Sequence, residues 1–190
     1  ALVDQSTLQQ GTTVPFGLQN EMPAYLINLG MAYQLSGDAR YGRRVVDLLL
    51  ASTNKGYPYW CCQDLGVGDL LYGMGLGFDW SYELMTQDER QTIVSHLCKP
   101  INEKFLFGQT LGYNPTNAYA ALLEISNWMG VTRGGAGLML LAVAGEPAAV
   151  PSLHPFSEYM QRAADGTRSY FVKGLDPVGA NHEGLTYAGY

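Results

Sequence analysis

The last ten residues, Asn181-His182-Glu183-Gly184-Leu185-Thr186-Tyr187-Ala188-Gly189-Tyr190, put an imidazole, a carboxylate and two phenols into a chain with few charges. Upstream, Ser126-Asn127-Trp128-Met129-Gly130-Val131 and Arg133-Gly134-Gly135-Ala136-Gly137 add an amide, an indole and a guanidinium. Together these groups could bind a sugar ring and move a proton on it. An indole can stack on a sugar face, a guanidinium can hold a carboxylate bidentately, and an imidazole or a phenol can act as acid or base. Each also has a plain alternative. Asn127 could cap the end of its own helix. Tyr187 could be a core tyrosine, with Tyr190 the alternative acid. His182 could be a base or could cap a following helix, and Glu183 could fix His182 or a loop. Trp128 could simply be buried, and Arg133 could be solvated on the surface. The aromatic loop Tyr57-Pro58-Tyr59-Trp60 offers Trp60 as a second sugar platform or as core packing.

The rest of the chain reads as the scaffold that must position these groups. Apolar residues make up 47% of the 190 residues, enough for a folded core. Periodicity is helical throughout, with no sustained alternation of the kind a strand shows. Ala24, Ile27, Met31 and Leu35 mark a helix after Pro23, which suits a first helical position. Ser36-Gly37-Asp38 is a turn with Asp38 as N-cap, and Tyr41, Val45, Leu48 and Leu49 mark the next helix. A third runs from about Val67 to Met85 with a heavy load of glycine, each costing about 1 kcal/mol in a helix interior; close helix–helix contact is the simplest reason for it. Thr86-Gln87-Asp88-Glu89 is a capping box that launches a fourth helix, with His96 on its surface. Further helices are expected over 117–128, 134–144 and 157–171, with 172–190 a loop leading into one more. The fold class is all-α: antiparallel helical hairpins, with an irregular segment at 1–19 and one domain over 20–190.

Composition narrows the partners. Net charge is −6 with only 11 Lys and Arg in no block, which argues against nucleic acid. An acidic polymer would need a local basic patch, and near the chemical segments only Arg133, Arg162, Arg168 and Lys173 supply one. No run of about twenty apolar residues spans a membrane. Three Cys and three His are too scattered for a zinc site, so no metal or other cofactor is expected. Cys61 and Cys62 are adjacent and poorly placed to bridge each other. A Cys98 bridge to one of them is open, but three reduced or buried thiols are the simpler reading.

Three segments, in order, resemble one family. They are the Leu29–Asp47 hairpin with Ala32-Tyr33-Gln34-Leu35-Ser36-Gly37-Asp38, the run from Gly68 to Arg90 with Phe78-Asp79-Trp80 and Thr86-Gln87-Asp88-Glu89-Arg90, and Asn127-Trp128 with Gly134-Gly135-Ala136-Gly137-Leu138 and Glu183-Gly184-Leu185-Thr186-Tyr187. The set, spanning about 24–190, is similar to the heparinase II/III-like polysaccharide lyases and related alginate lyases, which are (α/α) toroids. The resemblance implies β-elimination across a glycosidic bond of a uronic-acid polysaccharide, outside the cytoplasm in the periplasm or as a secreted protein. It assigns Asn127 to neutralising the uronate carboxylate while the C5 proton leaves. Tyr187 would protonate the leaving oxygen and could also act as base. A free tyrosine titrates near 10, so a base would need a cationic neighbour. Some members carry His directly after the Asn; Trp128 stands there, which leaves the tyrosine both roles. The resemblance also implies missing parts: a closed toroid needs more hairpins than this sequence supplies, and the family's β-sandwich domain and a further catalytic His lie beyond it. The expected partner is therefore the remainder of the same protein besides the polysaccharide. Two other classes remain open, a toroid glycoside hydrolase, with carboxylates from Asp64, Asp69, Asp79 and Glu183, and a non-catalytic carbohydrate-binding module.

Overall fold

The computed structural model describes residues 16–53, 64–100, 127–149 and 155–175. Those residues are all-helical and form six α-helices: α1 (Phe16–Ser36), α2 (Ala39–Ser52), α3 (Asp64–Trp80), α4 (Gln87–Pro100), α5 (Asn127–Ala142) and α6 (Phe156–Ser169). A 3₁₀ turn (Tyr82–Leu84) links α3 to α4, and a π-helical turn (Tyr170–Gly174) ends α6.

Local chemistry sets the boundaries. Gly37 closes α1 with φ +69°, a left-handed conformation that favours glycine, and its N–H donates to Tyr33 O at 2.8 Å. Asp38 then caps α2, accepting from Arg40 N at 3.0 Å. The capping box forms in both directions: Thr86 N donates to Glu89 Oε2 at 2.8 Å and Glu89 N to Thr86 Oγ1 at 3.3 Å.

Five expectations change. The third helix spans Asp64–Trp80, and a separate 3₁₀ turn over Tyr82–Leu84 replaces its expected last turn to Met85. Pro23 lies inside α1 rather than at its start, because the helix already begins at Phe16. Its missing N–H costs one backbone bond, while its ring and Cα lie against Gly73 of α3. The expected stripe of α1 is not the buried one: Met22 and Leu26 are buried, whereas Ala24 is exposed and Met31 and Leu35 are 42% and 81% exposed. Asn127 and Trp128, expected to close one helix, and the residues from Gly134, expected to open another, lie in a single helix, α5, while the rest of the helix expected over 117–128 lies outside the described residues. His96 is half-buried rather than on the surface.

The helices pack in two layers. Along α1 and α3, Pro23 meets Gly73, Leu26 meets Gly77 and Gly30 meets the Trp80 ring, so the two helices run parallel. Along α3 and α5, Gly68 meets Val131 and Thr132, and Gly75 meets Met139, so these are parallel too. Tyr82 Oη donating to Glu146 Oε1 at 2.7 Å ties the far ends of α3 and α5 together. The second layer runs the other way. Helix α2 turns back on α1 through Gly37-Asp38, and α6 is antiparallel to α5, with Tyr170 on Gly130, Arg133 on Gly166 and Ala163 on Gly137. The start of α4 sits beside that of α2, where Arg43 Nη1 donates to Glu89 Oε2 at 3.1 Å.

Glycine makes the first layer possible. A Cβ on Gly135 would collide with the Gly68 carbonyl oxygen, and one on Gly68 would lie 2.8 Å from Val131 O. Backbones this close gain dispersion contacts along their whole length. One core runs through all six helices, from Met22 and Leu26 through Val45, Leu49, Phe78, Leu97 and Met139 to Tyr159.

Candidate functional site

The parallel first layer and antiparallel second layer sort the helix ends. At one end lie the short reversals Gly37-Asp38 and Ser81–Thr86 and the turn after α5. At the other end lie the start of α3, which follows residues 54–63, the start of α5, which follows 101–126, and the π-turn after α6, which leads to 176–190. The stretches carrying Trp60, Asn127-Trp128 and His182 to Tyr190 therefore all join the described helices at the same end.

Asn127 and Trp128 are the first two residues of α5. That corrects the alternative in which Asn127 closes a helix C-terminus: it opens one, where free backbone N–H groups face outward and the helix dipole is positive. The antiparallel register of α5 and α6 continues the contact of Gly130 with Tyr170, so the π-turn lies level with Asn127. Trp60, His182, Glu183, Tyr187 and Tyr190 lie outside the described residues, as do Cys61, Cys62 and His154.

Arg133 is half-buried. The aliphatic stem of its side chain covers Gly166 of α6, where a Cβ would come within 3.1 Å of Arg133 Cδ. Its cleft, about 470 Å³, is shared with Met129, Glu158, Gln161, Arg162 and Asp165. Most of the polar groups there are partly committed to each other. Gln161 Nε2 donates to Asp165 Oδ1 at 2.8 Å, and Arg162 and Glu158 face each other at 3.4 Å.

Asp69 is the residue whose environment was least legible in sequence. It is level with Arg133 in the α3–α5 register, because Gly68 meets Thr132. The residue as a whole is exposed, yet burial of its carboxyl raises its pKa above the ordinary value. Asp69 and Asp79 share α3 and stand ten residues apart, about 15 Å along the axis. That exceeds the separation a glycosidase needs between its two carboxylates, about 5–9.5 Å. Trp80 serves the scaffold: its ring covers Gly30, and its carbonyl accepts from Gln34 Nε2 at 2.6 Å; Asp79 beside it is exposed.

Among the described residues no three His, Cys, Asp or Glu side chains gather as a metal site, and no helix is long and apolar enough to cross a membrane. Cys98 is free and buried, and burial pushes its thiol up to about 11. In comparisons with known proteins, no family model, no curated protein and no solved structure matches the chain.

Proposed function

We propose that the chain is an arc of an (α/α) toroid and part of a polysaccharide lyase that cleaves a uronic-acid polymer by β-elimination. The observation that carries the reading is the convergence of helix ends. In a two-layer array with parallel first helices, Asn127 stands at the end where the chain leaves α6 for the segment bearing His182, Glu183 and Tyr187. Residues far apart in sequence can act on one sugar only if the fold brings their elements to one end.

In this reading Asn127 donates a hydrogen bond to the uronate carboxylate as the C5 proton is removed. The carboxylate then gains charge in the transition state, and a fixed donor lowers that barrier most where water is excluded. Tyr187 gives its proton to the leaving glycosidic oxygen and, as phenolate, is the candidate base; His182 is the alternative base. The bond between the C4 carbon and its oxygen breaks as the C4–C5 double bond forms, leaving an unsaturated uronate and a new sugar hydroxyl. Trp128 and Trp60 supply faces for stacking, Arg133 an anion contact, and Glu183 and Tyr190 hydrogen bonds to sugar hydroxyls. No step needs a metal or other cofactor. The polymer is too large to cross a membrane, so the work belongs in the periplasm or outside the cell. The closing toroid helices and the β-sandwich come from the remainder of the protein.

The test is the ultraviolet absorbance of the unsaturated product on incubation with heparan sulfate, hyaluronan, chondroitin, alginate and ulvan. Absorbance rises with at least one polymer, and Tyr187→Phe lowers kcat by about 10²–10⁴. Asn127→Ala lowers it by about 10²–10³. New reducing ends without absorbance would overturn the reading in favour of a hydrolase, and binding without either product would leave a carbohydrate-binding module.

A further inference from the structure

The side of α5 turned away from α3 is not finished like the rest of the array. Leu138 and Leu141 lie there, the second 59% exposed. Across from them α6 and its π-turn bring Met160, Ala164 and Phe171, the last 61% exposed. Together they line an apolar groove of about 470 Å³. An open apolar groove between two helices is a seat for a further helix. Among the described residues lining it, Arg168 is the only charged one. Asp165, the next acid back along α6, accepts from Gln161 in the cleft on the other side of that helix, and Asp69 stands beyond α5 on α3. The groove therefore favours an apolar helix face with an acid beside it.

The segment that follows, residues 176–190, matches it in position, length and pattern. The chain leaves the π-turn at the end where α5 starts. Twice already a first-layer helix that starts at this end, α3 and then α5, lies parallel to the first-layer helix before it. Residues 176–190 are next in that series. Asp176-Pro177-Val178-Gly179 suits a turn, and Asn181 suits an N-cap. Wound as a helix, 180–190 spans about 16 Å, as does the groove from Phe171 back to Met160. At helical spacing Gly184, Leu185 and Ala188 share one face, and Glu183, Tyr187 and Tyr190 share the opposite one. The segment carries Asp176 and Glu183 and no Lys or Arg, which complements Arg168. Being tethered, it meets the groove at an effective concentration of about millimolar, an advantage that a second copy of the chain lacks.

We infer that residues 180–190 form a helix parallel to α5 that docks the face of Gly184, Leu185 and Ala188 into the groove between α5 and α6, and so presents Glu183, Tyr187 and Tyr190 together on its outer side. Docking needs only the two-layer array, so it goes beyond the lyase reading and stands or falls apart from it.

Amide hydrogen exchange, read by mass spectrometry on the peptide containing 182–190, tests this on the full-length protein, Leu141→Glu and Ala188→Glu. In the wild type these amides are expected to exchange far more slowly than in an unfolded chain. Each variant would put a carboxylate into the apolar seat, so each is expected to speed exchange of that peptide by about tenfold or more. Amides of α3 are expected to keep their wild-type rates, because Leu141 is exposed in the array itself. Exchange of 182–190 at the unfolded rate in the wild type overturns the inference. Protection that Leu141→Glu leaves intact overturns it too, since the segment would then be held elsewhere. So does an equal acceleration in α3, which would mean that the whole core is opening. Light scattering on the same samples covers the rival occupant: if Leu141→Glu turns a wild-type dimer into a monomer without altering 182–190, a second copy fills the groove and the inference falls.

Discussion

At the residue scale the sharpest contrast lies between two neighbouring glycines of α5. Gly135 faces α3, where any Cβ would drive into the Gly68 carbonyl, whereas Gly134 has open space around its Cβ position. Both are helical, so alanine brings the same gain in helix propensity, about 1 kcal/mol. At Gly134 that gain is unopposed, and Gly134→Ala is expected to raise stability by up to about 1 kcal/mol. At Gly135 overpacking between two backbones dominates, since neither can rotate out of the way. Gly135→Ala is expected to lose about 2 kcal/mol net. Urea denaturation of the two variants checks both signs, and similar midpoints would mean that α3 and α5 are not in backbone contact. The sequence showed the glycine load and the reason for it. It did not show which glycine faces which helix, because Gly134 and Gly135 are equivalent in any composition-based reading.

Elements with strong local signals were legible, and those whose faces are set by packing were not. The capping box at Thr86 and the cap at Asp38 are formed by hydrogen bonds within four residues, so local sequence suffices for them. Helices α2 and α6 have one apolar stripe each, and their inward residues Val45, Leu48, Leu49, Tyr159 and Ala163 follow from spacing, although Tyr41, on the expected stripe of α2, is exposed. Helix α1 is apolar around most of its circumference, so spacing offers two equivalent stripes and only the approach of Gly73 and Gly77 decides between them. The same applies to the candidate site: the residue types were visible, but the shared end of α3, α5 and α6 depends on layer direction, which no local pattern encodes. The contact of Glu89 with Arg43 is a further long-range feature. That guanidinium, with the Thr86 N–H, holds the Glu89 carboxyl down at about 2, against an ordinary 4.5. A lowered folded-state pKa adds stability above the unfolded value and loses it as pH falls, here between about 4.5 and about 2. Arg43 is partly exposed, so solvent screening limits the effect to about 1 kcal/mol. Glu89→Gln keeps a residue able to complete the capping box and removes only the charge. Its stability is expected to fall below wild type near neutral pH and to converge with it toward pH about 2. A constant gap across that range would refute the ion-pair origin. Thr86→Ala, by contrast, is expected to cost about 1 kcal/mol at every pH.

At the scale of the whole molecule, the two layers share one core, and this sets how the protein unfolds. Buried residues of α1, α2, α3, α4, α5 and α6 belong to a single connected cluster, so no hairpin can open without exposing apolar surface of its neighbours. Cys98 on α4 reports on this directly. It is buried, and the same burial pushes its thiol up to about 11, so near neutral pH it is both inaccessible and protonated in the folded state. Unfolding exposes it and returns it to an ordinary thiol near 8.5. Labelling of Cys98 by a thiol reagent, followed by mass spectrometry of its own peptide so that Cys61 and Cys62 do not interfere, is therefore expected to stay slow until the denaturant concentration at which far-ultraviolet circular dichroism disappears. Coincident transitions are what a single cooperative unit gives. Labelling that precedes the loss of helix would show α4 opening by itself, and the hairpins would then be additive units of an array, each stabilised by its neighbour, rather than layers around one core.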